Sequence, residues 1–314
     1  MTRILVTGGA GFIGSNVADR FIQEGHELTI IDNLSTGLES NLNKKAKFHQ
    51  VDIRSAVIDK IFEKTKPDIL CHHAAQIDVR KSTDDPIFDA DVNILGSLNL
   101  LNACVKHKVK KVIFASTGGA IYGEQDYFPA DEKHPANPLS PYGVTKLTIE
   151  KYLHFYRETY GLDYVSLRYA NVYGPRQNPF GEAGVVAIFA ERLLSGKKAI
   201  IYGDGKRTRD FVFVDDVIEA NLLALNYPKS DIFNIGTGIE TDINSIFRTL
   251  KKATGSRQKE IHAPPKPGEQ ERSVLDHSKA EALLRWKPKY ELSEGMARTV
   301  ESFQKTKRQF ATKA

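Results

Sequence analysis

Cysteine is scarce in this 314-residue chain, which contains only Cys71 and Cys104. Neither residue belongs to a Cys-x-x-Cys motif or to a Cys/His group with the spacing of metal ligands. This scarcity argues against a disulfide-stabilised scaffold and a zinc site, so we predict no metal ligands. It also favours a reducing compartment, and we therefore expect a cytoplasmic protein.

Long apolar runs, internal repeats and a strong charge of one sign are also absent. No stretch approaches the roughly 20 apolar residues of a membrane-spanning helix, and the first residues lack the apolar segment of a signal peptide. The net charge is +5, and no nucleic-acid-binding module is recognisable. We predict a compact globular protein with neither a membrane nor a nucleic acid as partner. A phosphate-bearing small molecule suits its mild positive charge.

Apolar and amphipathic segments alternate through the first half of the chain. The predicted strands are residues 4–7, 28–31, 69–72, 112–115 and 164–167, and the predicted helices are 15–23, 57–64, 91–106 and 142–160. Strands that are apolar throughout are typical of a parallel sheet covered by helices on both faces. We therefore predict an α/β fold with a Rossmann-type doubly wound parallel sheet.

The second half of the chain has a looser pattern. It contains a loop rich in proline, glycine and asparagine at 171–184, a helix at 185–194 and a Pro-rich connection at 263–268. Residues 233–236 resemble one more strand that returns to the main sheet. The predicted domains are therefore discontinuous: the larger comprises residues 1–168 with about 212–237, and the smaller α/β domain comprises 169–211 and 238–314.

A glycine-rich segment, GGAGFIG, follows the first predicted strand and opens the first helix. Gly8, Gly11 and Gly14 allow a tight turn whose backbone amides can approach a pyrophosphate at the helix N-terminus. Asp32 ends the second strand, where a carboxylate can bind a ribose diol and repel a 2'-phosphate. These residues predict NAD as the cofactor and not NADP, although Arg54 lies close to Asp32 in sequence.

A tyrosine and a lysine lie four residues apart at the start of a predicted helix. Ser140 suits the cap position and Pro141 the first helical position, so Tyr142 and Lys146 share one helix face. A phenol titrates near ~10 in water and needs positive charge nearby to act as a base. We expect Lys146 and an oxidised nicotinamide ring to provide it, with Thr117 relaying the proton.

The Gly-x-x-Gly-x-x-Gly spacing and this Thr/Tyr/Lys set resemble the short-chain dehydrogenase/reductase superfamily. That resemblance implies a catalytic triad of Thr117, Tyr142 and Lys146. The cofactor-binding residues it implies are Gly8, Gly11, Phe12, Ile13, Gly14, Asp32, Asn33, Ser35, Gly37, Asp52, Ile53, Ala74, Ala75, Gln76, Asn93, Ser116, Tyr142, Lys146 and Tyr169.

Nearly the whole chain resembles the extended members of this superfamily, the NAD-dependent epimerases and dehydratases, and among them the UDP-glucose 4-epimerases. The segment LRYANVYGP carries the asparagine that contacts a sugar diphosphate in that family, Asn171, and Arg209 and Arg272 resemble its diphosphate-binding arginines. The substrate-binding residues implied in this way are Thr117, Tyr142, Asn171, Val185, Val186, Ile200, Tyr202, Arg209, Arg272 and Ser273.

Gly118 and Gly119 narrow the expected chemistry. Sugar 4,6-dehydratases resemble one another in carrying an acidic pair directly after the catalytic threonine, and this chain has glycines there. Oxidation and re-reduction of one carbon is then the simpler outcome. The resemblance implies reversible C4 epimerisation of a UDP-sugar through a 4-keto intermediate, with tightly bound NAD. Epimerases restricted to glucose and galactose resemble one another in a bulky tyrosine at the position of Ser273, and the small residue here implies by that resemblance that the N-acetylated pair is accepted besides UDP-glucose and UDP-galactose.

Two other hypotheses fit the sequence. The first hypothesis is a UDP-glucuronate 4-epimerase, or another NAD-dependent nucleotide-sugar epimerase or dehydratase, because arginines also bind carboxylates. A non-catalytic NAD-sensing or RNA-binding relative is the other, and the loss of a triad residue would favour it. The resemblance further implies a homodimer in which the helices at 93–106 and 142–160 form a four-helix contact.

Overall fold

The computed structural model describes residues 1–180, 184–265 and 270–311. Its strands are β1 (Arg3–Thr7), β2 (Glu27–Asp32), β3 (Lys47–Gln50), β4 (Ile69–His72), β5 (Lys111–Thr117), β6 (Asp163–Tyr169), β7 (Asn171–Tyr173), β8 (Ile200–Tyr202), β9 (Thr208–Phe213), β10 (Asp231–Ile235), β11 (Glu240–Asp242) and β12 (Ile261–Ala263). Its helices are α1 (Phe12–Gln23), α2 (Val57–Thr65), α3 (Val79–Asp84), α4 (Pro86–Ala90), α5 (Gly96–Lys106), α6 (Gly118–Ile121), α7 (Pro141–Tyr160), α8 (Val185–Leu194), α9 (Val214–Asn226), α10 (Ile243–Thr254) and α11 (Leu292–Ala311). Short turns of 3-10 helix at Glu39–Asn41 and of π-helix at Asp91–Leu95 and Ala280–Leu284 complete the helical structure.

A seven-stranded sheet forms the centre of the fold, in the order β10-β6-β5-β4-β1-β2-β3 with every neighbouring pair parallel. Strands β1, β2, β4, β5 and β6 are largely buried, whereas the edge strand β3 is not. Val6 and Ile30 belong to the apolar cluster on one face, and Leu5 and Ile31 to the cluster on the other. This arrangement confirms the predicted doubly wound α/β fold, since strands covered on both faces need apolar residues at every position.

The strand order reverses direction between β1 and β4, which are neighbours in the sheet. In an open parallel sheet, the crevice outside the carboxyl ends of the strands at such a point is where ligands bind. Thr7, Asp32, His72, Thr117 and Tyr169 end five of the strands, so the segments that follow them share one edge of the sheet.

Two small sheets lie beyond the main one. The first has the order β11-β9-β7 and the second pairs β12 with β8. The predicted strand near residue 233 is confirmed, because β10 pairs in parallel with β6. The loop predicted to begin at residue 171 is wrong at its start, because β7 pairs in parallel with Phe211–Phe213. Part of the Pro-rich connection, residues 266–269, lies outside the described residues.

Within residues 1–180, 184–265 and 270–311, no helix combines the length and the apolar character needed to cross a membrane.

Candidate active site

The glycine turn after β1 closes against the loop after β4. Gly8 has a φ of +69°, and a Cβ on it would lie 2.6 Å from the backbone nitrogen of Ala74. A Cβ on Gly14 would meet the Gly8 carbonyl oxygen. Helix α1 begins after Gly11, which has no side chain to cap it, so the first amides of the helix are available to an anion.

Asp32 is buried at the end of β2 next to this turn. Its carboxylate accepts hydrogen bonds from the backbone amides of Ala10 at 3.0 Å and Leu34 at 2.8 Å. The following loop folds back onto the turn, because the amide of Leu38 donates to the Ala10 carbonyl at 3.0 Å. A Cβ on Gly37 would lie 3.1 Å from an Asp32 carboxylate oxygen. The loop therefore brings the predicted cofactor residues Asp32, Asn33, Ser35 and Gly37 to the glycine turn.

Arg54 lies between two carboxylates. Its guanidinium contacts Asp52 at 2.8 Å and Asp91 at 2.6 Å, and it holds the pKa of Asp52 well below the usual range of a carboxyl. Asn33 also donates to Asp52, at 3.0 Å. Because Arg54 is neutralised in this way, it is poorly placed to receive a 2'-phosphate. The sequence left this question open, and the geometry favours NAD.

Asn93 holds the loop after β4 in place. Its side-chain oxygen accepts from the amide of Gln76 at 2.8 Å, and its nitrogen donates to the Gln76 carbonyl at 3.0 Å. Asn93 lies in the π-helical turn before α5, and such insertions re-aim single side chains at functional sites. Asn93 is 3% exposed, and its predicted contact with the cofactor stays a prediction.

Helix α7 places the tyrosine and the lysine as predicted. The Ser140 hydroxyl accepts from the amide of Gly143 at 3.2 Å, and Pro141 is the first helical residue. The Lys146 ammonium lies 5.9 Å from the centroid of the Tyr142 ring and donates to the Ala115 carbonyl at 2.8 Å. Helix α7 thus fixes the pair against β5, the strand that ends at Thr117.

Burial dominates the titration of both side chains. It lowers the pKa of Lys146 to about 8, although the negative charges of Asp89 and Glu150 oppose this shift. It raises the pKa of Tyr142, and Asp89 adds to that rise. Burial and Asp89 both raise the phenol pKa in the protein alone, and the lowering that we expect from Lys146 and a nicotinamide ring together stays a prediction.

A cavity of about 450 Å³ opens at the carboxyl edge of the sheet. Its walls include residues from both predicted ligand sets and from both halves of the chain. The predicted site residues that line it are Phe12, Ile13, Ser116, Thr117, Tyr142, Tyr169, Asn171, Val185, Val186 and Arg209. The structure therefore brings the tyrosine, the threonine and one candidate diphosphate arginine to a single space.

Four predicted substrate residues do not line this cavity. Ile200 pairs with β12, Tyr202 is 42% exposed, and Ser273 is buried. Arg272 forms a two-pronged ion pair with Glu240 at 2.9 and 3.1 Å and stacks 3.7 Å from the Phe128 ring centroid. The roles assigned to these four residues stay predictions.

The sequence reasoning missed other residues of the cavity wall: Ile77, Ala170, Val172, Tyr173, Gln177, Gly184, Arg207, Phe211 and Ile243. Arg207 is the most informative of them, since it brings a second guanidinium to the wall that carries Arg209. Its Nε lies 3.1 Å from a Glu271 carboxylate oxygen. Arg207 and Arg209 are two positions apart, and side chains with this spacing along a strand lie on the same face. This spacing is the sequence signal that could have identified Arg207.

A parallel sheet with a glycine turn at its reversal point and a tyrosine–lysine pair beside a cavity define an enzyme that uses a dinucleotide cofactor on a hydroxyl or carbonyl group. Comparison with known proteins specifies the family. The chain belongs to the NAD-dependent epimerase/dehydratase family, whose profile matches residues 4–236.

Similar proteins cover almost the full chain. A putative UDP-glucose 4-epimerase of Methanocaldococcus jannaschii is 49% identical over 297 residues, which are 95% of this chain and 97% of the relative. The crystal structure of UDP-glucose 4-epimerase with UDP-glucose from Thermotoga maritima matches with a TM-score of 0.95 and 50% identity over 97% of this chain and 99% of that chain. A UDP-N-acetylglucosamine 4-epimerase from Methanobrevibacter ruminantium, in complex with UDP-N-acetylmuramic acid, matches with a TM-score of 0.92 and 35% identity over 97% of this chain and 99% of that chain. The predicted family, fold class and NAD cofactor are confirmed, and the predicted isomerase class agrees with these names.

Proposed function

We propose that this protein catalyses the reversible epimerisation of UDP-glucose and UDP-galactose at carbon 4, with NAD as a bound cofactor. The observation that carries the proposal is the convergence of Thr117, Tyr142 and Arg209 on one cavity beside the glycine turn. The relatives named UDP-glucose 4-epimerase support the substrate class, since they match nearly the whole chain.

The residues present fit NAD. A Cβ on Gly8 or Gly14 would fill the turn where the pyrophosphate approaches the backbone, and Asp32 offers a carboxylate at the ribose position. When bound, NAD supplies a hydride acceptor and donor at the sugar's carbon 4. We propose that Asn33, Ser35, Gly37, Asp52 and Ile53 enclose the adenosine end, and that Lys146 and Tyr169 contact the nicotinamide end.

Tyr142, in its phenolate form, is the proposed base. It lines the cavity together with Thr117, so a sugar hydroxyl bound between them can pass its proton to the phenolate and take it back when the sugar is reduced. Lys146 holds a positive charge next to the phenol, and a cationic nicotinamide ring would add the second charge that Tyr142 needs. The 4-keto sugar must turn over between the two steps, so the protein has to hold the diphosphate more tightly than the ring.

The two glycines after Thr117 support epimerisation over dehydration. A Cβ on Gly119 would lie 3.7 Å from Asn171 and 3.9 Å from the Thr117 hydroxyl, so a side chain here would project towards the substrate. A Cβ on Gly118 would meet the side chain of Leu275. With glycine at both positions, these two residues offer no carboxylate for an elimination step.

The diphosphate anchor yields a prediction. Arg207→Gln is expected to raise the Kd for UDP about tenfold, because a guanidinium on the cavity wall contributes a charge-assisted hydrogen bond. Calorimetry with UDP and with uridine measures the effect, and uridine binding should not change. Lys206→Gln removes a neighbouring charge from a side chain that is 82% exposed, and it serves as the control. Equal losses in the two variants would show that only general charge matters.

The sugar is identified by its products. Purified protein is incubated with UDP-glucose, UDP-galactose, UDP-N-acetylglucosamine, UDP-glucuronate and dTDP- and GDP-sugars, and each product is analysed for inversion at carbon 4. Inversion of the first two sugars is the expected result. Turnover of UDP-N-acetylglucosamine would extend the proposal to N-acetylated sugars, whereas inversion of UDP-glucuronate alone would replace it. An absorbance spectrum of the untreated protein tests for NAD that co-purifies.

We further propose a homodimer through α5 and α7. Val144 and Phe155 of α7 and Leu95 just before α5 are apolar and between 47% and 57% exposed. Light scattering is expected to give about twice the chain mass of 35.1 kDa. Phe155→Glu should give a monomer, whereas Ile239→Glu, at a position 62% exposed in the loop before β11, should not. A wild-type monomer would contradict the proposal.

The domain division and the location remain proposals of the same kind. We propose that residues 1–168 with about 212–237 bind NAD, and that 169–211 and 238–314 bind the UDP-sugar. Limited proteolysis with and without UDP tests this division, since UDP should protect only the second set of residues.

Cys71 and Cys104 are both buried free thiols, which suits the cytoplasmic location that we propose. Cell fractionation decides the location.

A further inference from the structure

Asp89 is a buried carboxylate that the reaction outlined above does not use. It lies in α4 with no exposed surface, and its two oxygens accept hydrogen bonds from side chains of three other segments. Gln76 donates at 2.9 Å from the loop after β4, Asn93 at 3.1 Å from the π-helical turn, and Thr145 at 2.9 Å from α7. Asp89 therefore connects the loop next to the glycine turn to the helix that carries Tyr142 and Lys146.

The position of Thr145 makes this connection relevant to the site. Thr145 lies directly before Lys146 in the helix, and its hydroxyl is also 3.0 Å from the Tyr142 carbonyl. On the other side of Asp89, Gln76 is held by Asn93 through both its amide and its carbonyl. A carboxylate at this point thus fixes the start of α7 relative to the loop after β4.

The charge of Asp89 acts on the same two residues. Its negative charge opposes the effect of burial on Lys146, and it adds to the effect of burial on Tyr142. The other titratable groups that interact with Lys146 are Glu150 and Tyr142 from α7 and His72 and His73 at the end of β4. Burial lowers the pKa of both histidines. Asp89 and Glu150 are the anions among these groups, and both stabilise the Lys146 ammonium.

We propose that Asp89 is a positioning residue for the epimerase reaction. It fixes α7 against the loop after β4, and its hydrogen bond with Thr145 holds a negative charge beside the residue that precedes Lys146. The inference rests on the proposed function only for its activity measurement. The contacts and the charge effect that the inference describes involve only the side chains of Asp89, Thr145 and Lys146.

The sign of the expected pH effect follows from the charge. Burial already lowers the pKa of Lys146 to about 8, with Asp89 opposing it. Removing the carboxylate charge lowers this pKa further, so Lys146 loses its proton at a lower pH. Tyr142 interacts with the same charge, and its pKa falls as well. Activity that requires the Lys146 ammonium is then lost at a lower pH on the alkaline side.

Asp89→Asn and Thr145→Val separate the charge from the hydrogen bonds. Asparagine keeps the shape of Asp89 and can still accept from Gln76 and Asn93. Valine removes the hydrogen bonds of the Thr145 hydroxyl, which include those with Asp89 and Asn93, and leaves the carboxylate in place. For holoenzyme with UDP-galactose, Asp89→Asn is expected to move the alkaline limb of kcat down by about one pH unit. Thr145→Val should lower kcat at every pH without moving the limb.

A second measurement does not depend on activity. Lysine labelled with 13C at Cε reports the titration of Lys146 by NMR, with its signal assigned by its loss in Lys146→Met. The Lys146 pKa should fall in Asp89→Asn and stay in place in Thr145→Val. If the asparagine variant does not fold, Asp89→Ser gives the same comparison with a smaller neutral residue. An unchanged Lys146 titration and an unmoved alkaline limb would overturn the inference, whereas absence of any epimerase activity in the wild type would overturn the proposed function instead.

Discussion

Tyr142→Phe is expected to lower kcat for the interconversion of UDP-glucose and UDP-galactose about 10³-fold while the protein stays folded and retains NAD. The phenol is the proposed proton acceptor, and a positioned acid–base group contributes roughly 10²–10⁴-fold to a reaction of this type. Phenylalanine keeps the ring beside Lys146, so packing at the start of α7 is preserved. A coupled assay for UDP-glucose gives kcat, and NAD released on denaturation gives the occupancy.

Tyr160→Phe is the control for this prediction. Tyr160 is the last residue of the same helix and is 54% exposed. Its substitution by phenylalanine removes the same hydroxyl group as in Tyr142→Phe but leaves the cavity intact. We expect its kcat to be close to that of the wild type. A Tyr142→Phe protein with full activity would contradict the role proposed for Tyr142, and one that had lost NAD would assign the phenol to cofactor binding.

Gly8→Ala is expected to abolish NAD binding and to destabilise the fold by at least about 2 kcal/mol. Two effects add at this position. Alanine is strained at a φ of +69°, and its Cβ would lie within 3 Å of three backbone atoms of the loop after β4, so that loop or the turn has to move. Movement of either segment displaces the amides that would face the pyrophosphate. Urea unfolding measures the stability, and NAD content measures the binding.

Gly161→Ala separates these two effects. Gly161 follows α7 with a φ of +71°, and nothing lies within 4 Å of a Cβ built on it. The substitution therefore carries the same backbone strain without the clash, and we expect a loss of about 1 kcal/mol with normal NAD content. If both variants lost stability equally and both kept NAD, the close approach of Gly8 to Ala74 would have no role in the cofactor site.

The sequence predicted those features of the fold that depend on local pattern. Runs such as residues 112–115 are apolar at every position, which is typical of a strand in a sheet covered on both faces. Ser140 and Pro141 likewise indicated the start of α7, because caps act on neighbouring backbone groups. β7 was missed because it has three residues beside a loop rich in proline and glycine, and its strand structure depends on its pairing with β9.

Site residues were predictable where their spacing in the sequence indicates their role, and they were missed where their role depends on tertiary contacts. Gly8 and the Tyr142/Lys146 pair were found from local spacing. Asp89 has no such signal, since its partners Gln76 and Thr145 lie 13 and 56 residues away along the chain. The direction of the Tyr142 pKa was also not predictable, because it depends on how deeply the phenol is buried. Arg272 looked like a diphosphate ligand, but Glu240 and Phe128 hold its guanidinium in this structure.

The chain passes from β6 to β7 through a single residue, Ala170, whose amide donates to the Ile235 carbonyl at 2.9 Å. Tyr169, proposed to contact the cofactor, and Asn171, proposed to contact the diphosphate, are therefore joined by two peptide bonds. Such a short covalent link allows no hinge between them, so the span from nicotinamide to diphosphate is set by the backbone. With these proposed roles, we expect the keto sugar to invert by rotation about bonds of the substrate itself, because the two ends of its site keep a constant separation.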